Sequence, residues 1–291
     1  MSDIAVSKNG LRSLKVFFGL LVVFLYAPLL VLFVFSFNDD STIRFPLQGF
    51  TTQWYRDFLA NPELTGSLRT SAIIAFIAST IAVLLGILAS IVLVRRRFFG
   101  KSGATAFLLS PLVIPYVVFG IALLILFKTV DVFLDQWIGV TIGLSIWTVA
   151  IGHVVIFLPY AILVLAPRIE RIDERLEEAA RDLGATGLRT FRSITLPLIV
   201  PAVLSSFLIS FTFSFDEFAV ANFVVGDQVT FPIYLYSQLR FPTLLPQAIA
   251  VAVVVFVASL AIVLLAEVGR RFLERRLDVE SEGSTLVPGA A

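Results

Sequence analysis

Six long stretches without a Lys, Arg, Asp or Glu residue constrain this chain more than any other feature of its sequence. They cover residues 16–37, 70–94, 102–127, 136–167, 193–215 and 241–266. An α-helix needs about 20 apolar residues to cross the hydrocarbon core of a bilayer, and all six stretches reach that length. Because lipid offers the backbone no hydrogen-bond partners, helices are the form that such runs must take. The sequence therefore predicts an all-α integral membrane protein with six transmembrane helices.

The composition agrees with a membrane location and excludes several kinds of chemistry. Hydrophobic residues make up 58% of the chain and charged residues 15%, which is more apolar than a soluble domain can cover with polar surface. The chain has no cysteine, so disulfides and thiolate chemistry are excluded. Its one histidine, His153, cannot form a metal cluster alone, and we interpret it as a hydrogen-bonded residue of the helix interior. No small-residue cleavage pattern follows the first stretch, so we expect a retained span rather than a signal peptide.

The distribution of basic residues predicts the orientation of the spans. With the N-terminus placed in the cytoplasm, 17 of the 22 Lys and Arg residues fall on the cytoplasmic side and five on the outer side. Cytoplasmic loops carry the excess of Lys and Arg in membrane proteins, so we expect both termini inside. Residues 1–15 are then a cytoplasmic N-terminus, 16–269 the transmembrane domain and 270–291 a disordered cytoplasmic tail. The formal net charge of +1 gives no indication of nucleic-acid binding.

The loop between the fourth and fifth spans, residues 168–192, is strongly charged, with six basic and six acidic residues. Its apolar residues recur at spacings of three and four: Ile172, Leu176, Ala179, Ala180 and Leu183. This spacing predicts a short amphipathic helix. Gly184 follows where a helix end takes a left-handed residue, so we expect a sharp turn and a second short helix. The apolar stripe packs either on the chain's own spans or on a separate protein, and the pattern leaves both open.

The same loop resembles the EAA loop of bacterial ATP-binding cassette (ABC) importer permeases. That pattern reads E-A-A, three residues, G, nine residues and I-x-L-P, and every fixed position is present: Glu178, Ala179, Ala180, Gly184, Ile194, Leu196 and Pro197. In that family the loop is a coupling helix that inserts into a groove on a cytoplasmic ATPase. The resemblance implies that the two alanines allow close approach, that Glu178 makes a polar contact and that Gly184 makes the turn.

The likeness extends over nearly the whole chain. The segments FSFNDDSTIRFPLQGFTTQWYRDFLANPEL, RRRFFGKS and SFDEFAVANFVVG, followed by FPIYLYSQLRF, resemble permeases of the spermidine/putrescine type, in particular the second, six-span permease. The resemblance implies inward movement of a small solute by alternating access across the bacterial inner membrane. The implied partners are a second permease, two copies of a cytoplasmic ATP-binding subunit, a periplasmic or extracellular substrate-binding protein and membrane lipid. The expected solute is a polyamine, and another small organic solute such as an amino-acid derivative is the alternative.

The chain itself lacks the residues of a nucleotide site. Gly100-Lys101-Ser102 matches the end of a phosphate-binding loop, but that motif needs a glycine at position 95, which is Arg95. We therefore expect no cofactor here, assign ATP hydrolysis to a partner and do not expect an enzyme. A carrier working alone would need several intramembrane ionisable groups, and an intramembrane enzyme would need a nucleophile and base or a metal cluster. The spans hold little beyond His153.

Asp216 and Glu217 follow the fifth span, and acidic side chains at a membrane boundary suggest a functional site. For a cationic solute they would supply complementary charge. The alternatives are that they mark the outer interface or form a structural pair with Arg240. Ser210 and Ser214 precede them at a spacing of four residues. Small side chains at this spacing predict close helix packing, with the lining of a polar pathway as the second interpretation.

Glycines and prolines also recur within or beside the stretches. We interpret Gly86, Gly139 and Gly143 as positions of close helix packing. Pro111 and Pro115 fall inside the third stretch, where they either kink a helix that must rock or are tolerated bends.

Overall fold

The computed structural model describes residues 8–40, 45–47 and 49–284, and these residues are almost entirely helical. Twelve α-helices occur among them: α1 Lys8–Phe35, α2 Gln53–Ala60, α3 Pro62–Arg95, α4 Lys101–Leu109, α5 Tyr116–Ile138, α6 Ile146–Glu170, α7 Glu174–Asp182, α8 Gly187–Thr190, α9 Leu196–Phe215, α10 Ala221–Val224, α11 Phe231–Gln238 and α12 Leu245–Ser284. Three further helical segments are 3-10 turns at Ser110–Leu112 and Pro242–Leu244 and a π-helical turn at Phe191–Thr195. Extended pairing in the described part of the chain is limited to one bridge between Asn38 and Phe50.

Six helical segments of the described residues are long and apolar enough to cross a membrane. They are Gly10–Phe35, Pro62–Arg95, Tyr116–Ile138, Ile146–Glu170, Gly187–Phe215 and Leu245–Gly269. The prediction of an all-α protein with six candidate spans is confirmed.

The third span differs from the apolar stretch that predicted it. The stretch 102–127 is divided between α4 and the first half of α5, and α5 continues through three charged residues to Ile138. Pro111 and Pro115 lie in the break rather than inside a span, and Pro115 has an extended ψ of 128°. Proline removes a backbone donor and restricts the residue before it, so two prolines four residues apart interrupt the helix. Hydropathy alone does not register that interruption.

The C-terminal segment also differs from its prediction. Helix α12 continues to Ser284, beyond the expected end of the sixth span at residue 269. The sequence there, GRRFLERRLDVES, is rich in Arg, Glu and Leu, which favour helix. Residues 1–7 and 285–291 lie outside the described residues, so disorder stays a prediction for the last seven residues.

The chain divides into two compact units, of which one contains α1, α2 and Leu235–Ala258 and the other contains Glu63–Tyr234 and the end of α12. In the second unit α3, α6 and α9 contribute to one apolar cluster, which includes Ile87, Leu165 and Ile199. A Cβ at Gly86 of α3 would lie 2.6 Å from the Cβ of Ala161 in α6, so only glycine permits this approach. The packing interpretation of Gly86 is confirmed.

Gly139 and Gly143 do not pack helices together, contrary to the prediction. Their φ angles are 66° and 64°, and nothing lies within 4 Å of the position that a Cβ would take. Gly139 ends α5 in the left-handed conformation, which glycine adopts without steric cost. The two glycines thus serve the turn between α5 and α6.

Candidate coupling surface and outer polar cluster

The 168–192 loop forms the predicted helix, turn and second helix. Asp173 caps the start of α7, where its Oδ1 accepts a hydrogen bond from the backbone N–H of Arg175 at 3.0 Å. At its end the N–H of Gly184 donates to the carbonyl of Arg181 at 2.9 Å, and the N–H of Ala185 donates to the carbonyl of Ala180 at 3.0 Å. Gly184 has a φ of 85°. These two bonds and the left-handed glycine make a Schellman motif, which stops α7 and redirects the chain.

The apolar stripe of this loop is covered only at its beginning. Ile172 is 8% exposed and packs against the cluster of α3, α6 and α9. Leu176 is 50% exposed and Leu183 is 90% exposed. Glu178 and Ala179 are exposed as well, whereas Ala180 is half-buried. We call Leu176, Glu178, Ala179 and Leu183 the docking face, since the chain's own spans leave these side chains open.

The I-x-L-P end of the pattern anchors the loop instead of extending this face. Leu196 packs against the apolar cluster of α3, α6 and α9, and Ile194 is half-buried in the π-helical turn. Pro197 is exposed at the start of α9 and has no N–H to donate to the carbonyl four residues earlier. The π-helical turn at Phe191–Thr195 lies where that hydrogen-bond ladder is interrupted. This end of the loop therefore fixes how α9 enters the core.

The second group of candidate residues lies at the other end of α9. Ser210 and Ser214 are 0% and 3% exposed, as the packing interpretation expects. Ser214 Oγ is 2.7 Å from Nδ1 of His153 in α6, and Nε2 of that ring is 3.2 Å from Oε2 of Glu217. With Glu217 ionised, Nε2–H donates to the carboxylate, and Nδ1 accepts from the Ser214 hydroxyl. We call His153, Ser214 and Glu217 the outer polar cluster, after the side of the membrane on which the distribution of basic residues predicts it.

Glu217 also binds backbone. Its two carboxylate oxygens accept from the N–H of Val220 at 2.9 and 3.0 Å, and Oε2 accepts from the N–H of Ala221 at 3.0 Å. Burial would raise the pKa of the Glu217 carboxyl, but the hydrogen bond and electrostatic attraction of the His153 ring and the two backbone donors outweigh burial and lower it. Glu217 is 6% exposed, and its side chain pairs with His153.

Asp216 differs from its neighbour because its side chain is exposed. The pKa of the Asp216 carboxyl is raised, first because surrounding protein removes part of its hydration and second because the Glu217 charge is close. Of the two acidic residues that the sequence singled out, Asp216 is therefore the one accessible to a solute. Sequence reasoning missed the link between Glu217 and His153, for which the only signal was a histidine inside a span.

The two groups of residues are separated by the length of α9, 20 residues or about 30 Å. The docking face and the outer polar cluster therefore lie near opposite ends of one spanning helix.

Comparison with known sequences gives two kinds of match. A family model described as binding-protein-dependent transport system inner membrane component matches residues 82–279. The putrescine transport system permease protein PotI of Escherichia coli K12 is 37% identical over 242 residues, covering 82% of this chain and 84% of that protein. The spermidine/putrescine transport system permease protein PotC of Haemophilus influenzae is 35% identical over 254 residues, covering 86% and 93%.

Solved structures show the same fold at lower sequence identity. A chain of a bacterial ABC transporter that imports the acidic polysaccharide alginate superposes with a TM-score of 0.69 at 16% identity, covering 91% of this chain and 96% of that one. A chain of the inward-facing MetNI methionine ABC transporter superposes with a TM-score of 0.55 at 16% identity, covering 72% and 96%. At these identities the likeness concerns the fold alone.

Proposed function

Since the chain belongs to the family of binding-protein-dependent transport system inner membrane components, we propose that the solute it passes into the cell is a polyamine such as putrescine or spermidine. The chain is the permease subunit of an ABC importer and lies in the inner membrane. The observation that carries the choice of solute is the 37% identity to a putrescine permease over most of both chains. The exposed Asp216 supports it, because a carboxylate complements a cationic solute.

The docking face is the part of the chain that meets the ATPase. Leu183 and Leu176 project apolar area that the chain's own spans do not cover, and Glu178 is an exposed charge on the same helix. An exposed amphipathic helix of this kind suits a groove on a partner protein. ATP is bound and hydrolysed by that partner, and this chain holds no cofactor.

The working assembly contains more chains than this one. We include a second permease paired with this chain, two copies of the ATP-binding subunit and a substrate-binding protein on the outer side. ATP-driven closure of the ATPase pair pulls on α7, and the spans alternate between outward-open and inward-open states.

The outer end of α9 is where the solute contacts this chain. Asp216 offers an exposed carboxylate, whereas Glu217 positions the backbone of α10 and does not reach the solute. Asp216→Asn is expected to raise the putrescine concentration for half-maximal uptake about tenfold, which corresponds to about 1.4 kcal/mol of binding free energy. Asp227→Asn removes a charge from another exposed acidic residue and is the control. Equal half-maximal concentrations in the two variants would remove Asp216 from the solute pathway.

The test of the solute is uptake of radiolabelled putrescine and spermidine by cells that lack this chain. We expect uptake to return when the chain is restored with its partners and to disappear when the ATPase carries an inactive nucleotide site. Uptake that stays at the level of the deletion strain for both polyamines would rule them out. A panel of small organic solutes, amino-acid derivatives among them, would then identify the cargo.

A further inference from the structure

Helix α3 ends in a residue that reaches across to the 168–192 loop. Arg95 closes α3, and its side chain is only 12% exposed. Its Nη1 donates to Oε1 of Glu174 at 3.1 Å, and its Nη2 donates to the carbonyl of Ile172 at 3.0 Å and lies 3.5 Å from Oε1 of Glu177. The guanidinium thus spans the chain that leads into α7 and the first turn of α7 itself.

Glu177 extends this contact to the start of α9. Its Oε1 also accepts from the Thr195 hydroxyl at 2.9 Å, and its Oε2 accepts from Nη2 of Arg181 at 3.4 Å. The side chain of Glu177 is 12% exposed, like that of Arg95. Arg95, Glu177 and Thr195 therefore join three elements that are not consecutive in the chain: α3, α7 and the π-helical turn.

We call the contacts among Arg95, Glu177 and Thr195 the Arg95 bridge. This bridge matters for how α3 and α7 are held together, because apolar packing between them is incomplete. A cavity of about 460 Å³ opens beside it, lined among others by Leu88 and Ile91 of α3 and Leu188 of α8. Arg95 and Glu177 line the same cavity. Side chains that face empty space lose the contacts that would hold two helices in register. The bridge is consequently a principal direct connection between α7 and the end of α3.

Arginine suits this position because its planar fork binds several acceptors at once, whereas lysine presents a compact charge. A pair with both side chains largely buried is screened less by salt than a pair on the surface. The geometry therefore favours a fixed contact over a transient one.

We infer that Arg95 is a positioning residue that makes α3 move with the coupling helix α7. The inference rests on the proposed function, in which the ATPase displaces α7. Helices α6 and α9 follow that displacement because the chain connects them to the loop. Helix α3 is not joined to the loop by the adjoining chain, and besides its apolar packing on α6 and α9 it contacts α7 through Arg95. Through Gly86 and Ala161 the motion of α3 is matched to that of α6.

The first measurement is ATP hydrolysis by the complete reconstituted complex, with and without its putrescine-loaded binding protein. Arg95→Gln is expected to assemble with the ATPase but to lower the stimulation by loaded binding protein about tenfold, within the range usual for coupling between sites. Arg96→Gln removes the same charge from the exposed neighbouring residue and is expected to behave like wild type. Arg95→Lys, which keeps the charge without the fork, should fall between them.

The second measurement reports on α3 itself. Because the chain has no native cysteine, spin labels can be placed at Val92→Cys on α3 and Arg175→Cys on α7 without background from this chain. When Arg95 is present, the distance between the two labels should be the same in the nucleotide-free and ATP-bound states. With Arg95→Gln the distance should change on ATP binding, since α7 then moves without α3.

The outcomes separate the inference from the proposed function. A wild-type complex that putrescine-loaded binding protein does not stimulate contradicts the solute, while the label distances still decide the role of Arg95. Arg95→Gln that matches Arg96→Gln in both measurements overturns the inference. So does an Arg95→Gln chain that no longer co-purifies with the ATPase while Arg96→Gln does, because Arg95 would then hold the assembly together. A further supporting result is that Arg95→Gln and Glu177→Gln combined lower stimulation no more than either alone.

Discussion

In the sequence, the charge of Glu217 at the end of a span suggests a functional site. In the fold, the same carboxylate has a structural role. Its carboxylate oxygens accept from the N–H groups of Val220 and Ala221 and contact Nε2 of His153. A buried carboxylate with several hydrogen-bond donors is stabilised as an anion, and its oxygens are already hydrogen-bonded to those donors. At the scale of the residue, Glu217 holds the backbone after α9 against the first third of α6, at His153.

His153→Ala is expected to lower the free energy of unfolding by about 3 kcal/mol, because it leaves a buried carboxylate and the Ser214 hydroxyl without their partner. The measurement is thermal unfolding of the purified chain in detergent, followed by intrinsic fluorescence. Trp147→Ala, an exposed position six residues earlier in the same helix, is the control and should change stability much less.

The pairing can be isolated with a second substitution. His153→Ala combined with Glu217→Gln should cost less than the sum of the two single changes, because the neutral amide no longer leaves an unpaired buried charge. Additive effects would show that the ring and the carboxylate do not stabilise each other.

At the scale of the element, α7 depends on how it ends. Gly184→Asp is expected to abolish uptake while leaving membrane insertion intact. At a φ of 85° a side chain is strained, and a carboxylate at the C-terminal end of α7 opposes the helix dipole. The measurement is putrescine uptake beside the amount of chain recovered in membranes.

Gly103→Asp is the matched control for this change. Gly103 lies in the first turn of α4 with open space around it, and a carboxylate is favourable near a helix N-terminus. Normal uptake with Gly184→Asp, or equal loss with both variants, would contradict a specific role for the end of α7.

The same elements show what the sequence can predict and where it stops. The turn at Gly184 and the two short helices around it were predictable because their signals are local: an apolar stripe and a glycine at its end. The two prolines Pro111 and Pro115 were evident in the sequence, but the end of one helix and the start of the next were not predicted there, because apolar sequence continues through them. The contacts of Arg95 with Glu177 and of His153 with Glu217 join residues 82 and 64 positions apart, and no local pattern specifies them.

At the scale of the whole molecule, α3, α6 and α9 pack together between the docking face and the outer polar cluster. The docking face lies in the loop that connects α6 to α9. The outer polar cluster joins the same two helices near the other end of α9. Arg95 adds α3 at the docking end. On the proposed function, the ATPase and the solute contact opposite ends of this packed group of helices, and its movement as a unit would serve alternating access.

That account depends on which side of the membrane each end faces, and the excess of basic residues predicts the docking face inside. Single cysteines in this cysteine-free chain test it: Arg175→Cys on α7 and Asp227→Cys after α10, both exposed. In intact cells a membrane-impermeant maleimide should label Asp227→Cys and leave Arg175→Cys unlabelled, because only the outer side is accessible. After permeabilisation both should react, which controls for buried or unreactive thiols. Labelling of Arg175→Cys in intact cells would reverse the orientation and place α7 out of reach of a cytoplasmic ATPase.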